Sequence, residues 1–189
     1  MTSAAPNSWA AAARSGAAER ILDAAAELFT QRGYAATSTR QIAEAVGIRQ
    51  ASLYHYFKTK DDILAALLDA TVVGSLDRAR ELLSDDRAPL DRLLDLARFD
   101  VAQLVDERWN LGSLYLLPEV GDERYVEFRS ARTELAAAYE TLASAVLDDP
   151  ADTRSLLPFR LVESVIMLRS DEQRGDLGDR TAAQLVDTI

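Results

Sequence analysis

An all-α fold is what this sequence predicts. Three observations lead there. Alanine and leucine dominate, while the 189 residues include only eight glycines and five prolines, a balance that favours helix nearly throughout. Apolar residues recur at three- and four-residue steps, and no segment shows the apolar–polar alternation of a strand. The 48% hydrophobic and 28% charged content is ordinary for a globular chain of a size that can bury a core. There are no cysteines and one histidine, which rules out disulfides and thiolate metal sites and makes a histidine zinc site untenable. No metal, cofactor or catalytic residue is expected. No apolar run approaches the ~18 residues of a membrane span, so no membrane partner and a cytoplasmic location are expected.

The elements follow in order. Residues 1–13, rich in Ala and Ser without a basic start and an apolar stretch, read as a disordered tail. Helix one spans about Ser15 to Arg32, with Ile21, Leu22, Ala25, Leu28 and Phe29 on one stripe and Gly33 as a left-handed cap. Ser38 with Gln41 is a capping box that starts helix two. Ile42, Ala43 and Val46 form its buried face, Gly47 ends it, and Ile48 packs back. Helix three covers about Gln50 to Phe57, with Leu53 and Phe57 inward and Gln50, Ala51, Ser52, Tyr54, His55 and Tyr56 on other faces. Thr59 with Asp62 caps helix four, whose apolar residues are Ile63, Leu64, Leu67, Leu68 and Val72.

Pro89 opens the next helix, with a stripe of Leu90, Leu93, Leu94, Ala97, Val101, Leu104 and Val105. An apolar segment from Trp109 to Leu117 ends at Pro118. A long helix beginning near Asp122 turns Phe128, Ala131, Leu135, Tyr139, Leu142 and Val146 inward and breaks at Asp148-Asp149-Pro150. A further helix from about Ala151 to Arg169 is kinked or delayed by Pro158. Ser170 to Asp179 reads as a polar loop, and Thr181 to Ile189 as a last helix.

Charge divides the chain. Residues 14–60 hold seven Lys/Arg and four Asp/Glu, whereas residues 61–189 hold fourteen and twenty-seven. A basic end on an acidic chain is a place to meet phosphates. Two short helices joined at Gly47, with a third following, form a helix-turn-helix, the arrangement that lays one helix in a major groove. Three segments are therefore expected: the tail at 1–13, a DNA-binding domain at 14–60, and a helical domain at 61–189.

The pattern Gly33-Tyr34, Thr37-Ser38-Thr39-Arg40, Ile42-Ala43, Val46-Gly47-Ile48, Ser52-Leu53-Tyr54, Tyr56-Phe57, Lys60 and Leu64 resembles the tetracycline-repressor (TetR) family of transcription regulators. The match is gapless and covers about a third of the chain; Arg49 departs from it, where many members carry Ser or Thr. The resemblance implies a homodimer with a DNA-binding head and a helical body, and assigns ligand binding and dimerisation to the helical domain at 61–189. That body holds a small-molecule pocket, and its last two long helices pair across the dimer. Ligand binding is then expected to release a palindromic operator.

Thr39 and Tyr54 stand where the family touches the DNA backbone, and Tyr56 is similarly placed. Lys60 can reach a phosphate from the first turn of its helix, and Arg49 adds charge near the phosphates. Arg40, Gln50 and Ser52 are the base-reading candidates, because Arg grips guanine O6 and N7 and Gln grips adenine N6 and N7. Ala51 can meet a thymine methyl, and His55 a phosphate. Ser52 and His55 are three apart but have no orienting acid, so no catalysis is expected. For the effector pocket the candidates are Phe99, Trp109, Leu111, Tyr115, Phe128, Phe159 and Met167, with a neutral or cationic apolar ligand suiting the acidic body. For the dimer interface they are Leu157, Leu161, Val165, Leu168 and Leu185; each set has core packing as its alternative. A ligand-binding or scaffold protein of the same fold that no longer binds DNA is the competing reading.

Overall fold

The computed structural model describes residues 16–186. The expected tail and the end of the last helix lie outside the described residues. Among those described, every element is helical, and no helix is long and apolar enough to cross a membrane. The chain packs as two compact units that divide between Leu68 and Asp69.

In the first unit, α1 (Gly16–Arg32) buries Ile21, Ala25, Leu28 and Phe29, as the stripe requires. Gly33 ends it at φ 90°. Ser38 then caps α2 (Thr39–Val46) through both arms of the predicted box. Gly47 adopts φ 74°, and the Ile48 amide reaches back to Ala43 O at 3.0 Å, the paired closure that lets the next helix leave at a sharp angle. Ile42 and Ala43 are buried, whereas Val46 is only half-buried. Helix α3 is shorter than expected, Gln50–Leu53. The following residues tighten into three-residue turns, His55 N to Ser52 O at 3.2 Å and Tyr56 N to Leu53 O at 2.9 Å, which carry Phe57 into the core beside Leu53. Thr59 and Asp62 cap α4 (Lys60–Leu83) reciprocally, and the division between the units falls inside this helix.

In the second unit, α5 (Pro89–Asp106), α6 (Val126–Leu147) and α7 (Leu157–Arg174) pack pairwise, and α8 (Ala182–Val186) packs on α5 and α7. Several boundaries move. The buried face of α5 is Leu93, Leu96 and Asp100, while Leu90 and Leu94 face out. The stretch from Leu111 to Tyr125 is a run of 3₁₀ turns rather than the start of a long helix, so α6 begins only at Val126. Val146 is exposed. Pro158 delays α7 rather than kinking it, sitting in its first turn after a 3₁₀ turn at Thr153–Leu156. The expected loop from Ser170 is helical through Arg174, where Gly175 at φ 79° stops it. Val165 is 2% exposed and belongs to this unit's core, one helical step away from the outward Leu161.

Asp69 gives a test of this packing. Partial burial and nearby Glu127 push its carboxyl from 3.8 up to about 6. A raised acid favours folding below its unfolded value, and that advantage is lost as pH rises from 3.8 through about 6. Asp69→Asn is therefore expected to raise the melting midpoint above that window and to leave it unchanged below. The gain should stay under about 2 kcal/mol because solvent screens the pair. Melting the two proteins across pH checks it; an equal difference at every pH would remove the carboxylate repulsion as the cause.

Candidate functional site

The outward face of α2 and α3 is organised before it meets anything. Gln50 Nε2 donates to Thr39 Oγ1 at 2.9 Å and to Tyr54 OH at 3.0 Å, and these two hydroxyls are 3.1 Å apart. The three side chains make one hydrogen-bonded triangle across the helix-turn-helix, with Tyr54 39% exposed. Arg49, Ala51 and His55 are also exposed, and Ser52 and Tyr56 are half-buried. Arg49 stands at the start of α3 without forming a side-chain cap. Arg40 is 76% exposed and pairs with Glu44 at 2.8 Å one turn on. Such an exposed pair is worth little and opens readily towards a stronger partner.

Lys60 is placed differently from expectation. Its Nζ donates to Tyr34 O at 2.8 Å and Thr37 O at 2.9 Å and lies 4.0 Å from the Tyr34 ring centroid. Two of the three ammonium donors thus hold the α1–α2 connection, because that connection turns the Tyr34 and Thr37 carbonyls towards the start of α4. Tyr34, whose hydroxyl donates to Asp61 and whose ring meets Phe29 edge-on at 5.0 Å, is the anchor that sequence reasoning did not single out. Its place beside Gly33 in the motif was the available signal. Thr37 is buried and donates to Gly33 O at 2.9 Å, closing the same connection.

The second unit holds a partly open cavity of about 60 Å³. Trp109, Leu111, Tyr115 and Phe159 line it, as expected. Phe128 does not: it lies behind Tyr115, ring to ring at 5.2 Å. Phe99 lines a separate shallow depression with Ala102 and Asp106. Met167 is half exposed, because Phe159, Val162, Glu163, Ile166 and Arg169 form the cavity face of α7 and Met167 falls off that face.

The polar part of the lining was not foreseen. Asp100 is 4% exposed, accepts from Tyr139 OH at 2.8 Å, and keeps Oδ1 without a hydrogen-bond partner. Burial pushes its carboxyl above the usual range, with nearby Ser75 and Tyr139 opposing that. Arg132 pairs with Glu163 and lies over the rings of Tyr115 and Phe159, at 5.3 and 5.7 Å. Tyr115 donates to Thr71 Oγ1 at 2.7 Å, and burial pushes its phenol up to about 12. Asn110 is buried and donates to Ile166 O and Ser170 Oγ, both at 2.9 Å. Arg169 donates to Leu104 O and Glu107 O, and burial lowers its pKa.

Comparison with known proteins agrees with this geometry. Residues 21–67 match the family described as bacterial regulatory proteins, tetR family. Over 146 residues, 72% of this chain and 68% of the relative, the sequence is 31% identical to the HTH-type transcriptional repressor KstR2 of Rhodococcus jostii. The crystal structure of Mycobacterium smegmatis AmtR shares 54% identity and a TM-score of 0.78 over 84% of this chain and 78% of that one. AibR, solved in complex with isovaleryl coenzyme A and operator DNA, shares the fold at 21% identity, with a TM-score of 0.68 over 91% of this chain and 95% of that one.

Proposed function

The chain belongs to the tetR family of bacterial regulatory proteins, DNA-binding regulators rather than enzymes, and we propose that it is a ligand-responsive homodimeric repressor of a palindromic operator. The observation that carries this reading is the exposed Thr39–Gln50–Tyr54 triangle on α2 and α3. Its three polar side chains are held outward by one another rather than by a core, which suits a surface that meets base edges and phosphates. Arg40, Arg49, Ala51, Ser52, His55 and Tyr56 extend the contact around it. Lys60 acts chiefly by fixing the connection ahead of α2. Residues 14–60 form the DNA-binding part, residues 61–189 the ligand and dimer part, and the protein works in the cytoplasm.

One recognition helix gives weak affinity; two related by a dyad read a palindrome. Leu157 and Leu161, 53% and 65% exposed one turn apart on α7, support a dimer seam there. Half-buried Leu168 extends the seam, and Leu185 is assigned to its edge. An effector in the second-unit cavity favours one arrangement of the dimer over another and thereby releases DNA, a population shift. The KstR2 relative is named a repressor, and AibR was solved with isovaleryl coenzyme A and operator DNA, which supports both kinds of partner for a chain of this fold.

A gel shift on the DNA upstream of its own gene, with subunits counted by mass, tests the reading. The protein is expected to bind as one or more dimers, and Leu161→Asp to sediment as a single chain and lose at least about ten-fold in affinity. An intact dimer that shifts neither this DNA nor any selected palindrome would favour the ligand-binding scaffold instead.

A further inference from the structure

The charges around the second-unit cavity do not balance evenly. Glu163 is answered twice, by Arg132 and by Arg160 at 2.8 Å. Arg169 is taken up by two backbone carbonyls. Asp100 has the Tyr139 phenol on Oδ2 and the Ser75 hydroxyl nearby, neither of them a charge, while Oδ1 and the Arg132 Nε–H, both buried, have no hydrogen-bond partner. A buried carboxylate without a counter-charge is costly, and so is a buried donor without an acceptor. The lining that Asp100 and Arg132 share includes the rings of Trp109, Tyr115 and Phe159.

We propose that this cavity is the seat of a small organic cation, a protonated primary amine with an oxygen close to its nitrogen. The ammonium docks on Asp100 Oδ1, and the oxygen accepts from Arg132 Nε. An ammonium brings both the missing charge and the missing donor. Aromatic faces favour a cation and gain nothing from an anion. A carboxylate ligand could accept from Arg132 Nε but would leave Asp100 without a counter-charge and place a second anion beside it; a neutral alcohol would satisfy the hydrogen bond but not the charge. At about 60 Å³ the space takes only a few non-hydrogen atoms, far below the ~300–1,000 Å³ of a drug-sized pocket, so the head of the ligand is what it recognises. The proposal rests on the ligand-responsive reading above and names the chemistry of its site.

Calorimetry on the full chain with ethanolamine, ethylammonium, ethanol and acetate as probes tests it. Ethanolamine is expected to bind most tightly, ethylammonium more weakly, and ethanol and acetate not measurably. Asp100→Asn keeps the shape and the Tyr139 contact, and is expected to weaken both amines by about ten-fold or more. Arg132→Met should erase the preference for ethanolamine over ethylammonium while both still bind. Acetate binding as well as ethanolamine, amine affinity unchanged in Asp100→Asn, or no response to any amine would each overturn the proposal. The gel shift separates this from failure of the repressor reading. If DNA is bound by the bare protein and released by acetate but by no amine, only the ligand class falls. If DNA is never bound, the repressor reading falls while calorimetry still decides the seat.

Discussion

Gln50→Ala is expected to weaken binding to the operator by about 10- to 100-fold and to random DNA by less than about two-fold. The amide nitrogen of Gln50 is already spent on Thr39 and Tyr54. Its Oε1 is therefore the acceptor offered to a base edge, suited to adenine N6 or cytosine N4. The side chain is ordered before contact, so little rotamer entropy remains to be lost on binding. Tyr54→Phe removes the hydroxyl that orients the amide and should cost part of the same energy. The double variant is then expected to fall short of the summed losses by about 0.5–1.5 kcal/mol, a coupling that fluorescence anisotropy on both DNAs can measure. Additive losses would mean that Tyr54 does not orient Gln50. Equal losses on operator and random DNA would move Gln50 from base reading to phosphate contact.

What the sequence disclosed was local chemistry. Ser38 with Gln41, Thr59 with Asp62, and Gly33 and Gly47 each act within a few residues of themselves, so spacing alone located the ends of α1 and α2 and the start of α4, though not the early end of α3. Long-range choices were not legible. Along α5, Leu90, Leu93, Leu94, Leu96 and Ala97 spread over an arc of about 160°, and periodicity could not say which edge of it meets α6 and α7. The side chosen by packing carries Asp100, a residue that reads as solvent-facing until Tyr139 is placed opposite it. Ser170 to Arg174 is polar enough to suggest a loop, yet the helix stops only where Gly175 allows a left-handed turn and Asp176 N reaches Asp171 O at 2.9 Å. Lys60 was read by its charge, whereas its Nζ donates to the carbonyls of Tyr34 and Thr37, more than twenty positions away. In the cavity the rings were recognisable as apolar matter. The pairing of Arg132 with Glu163, across two helices, was not.

Gly112→Ala is expected to destabilise the second unit by about 1–3 kcal/mol, lowering its midpoint by several degrees. A Cβ built at Gly112 would lie 2.5 Å from Ile166 Cγ1, 2.6 Å from its Cδ1 and 3.1 Å from its Cγ2. Ile166 cannot easily yield. It is β-branched on a helix, where one χ1 rotamer dominates, and it is 6% exposed. Nor can the backbone simply part, because Asn110 Nδ2 ties the start of the Leu111–Leu116 turn to Ile166 O at 2.9 Å. The glycine is thus required by closeness to α7 rather than by an unusual φ. Ile166→Ala alone should cost about 2–5 kcal/mol through the cavity it leaves. In the Gly112→Ala, Ile166→Ala double variant the new methyl enters space that the isoleucine vacated, so the combined cost is expected to be smaller than the sum by about 1 kcal/mol or more. Strict additivity would show that the turn slides off α7 to admit the methyl. The Asn110–Ile166 bond would then have to stretch, and faster amide exchange in the turn would reveal it.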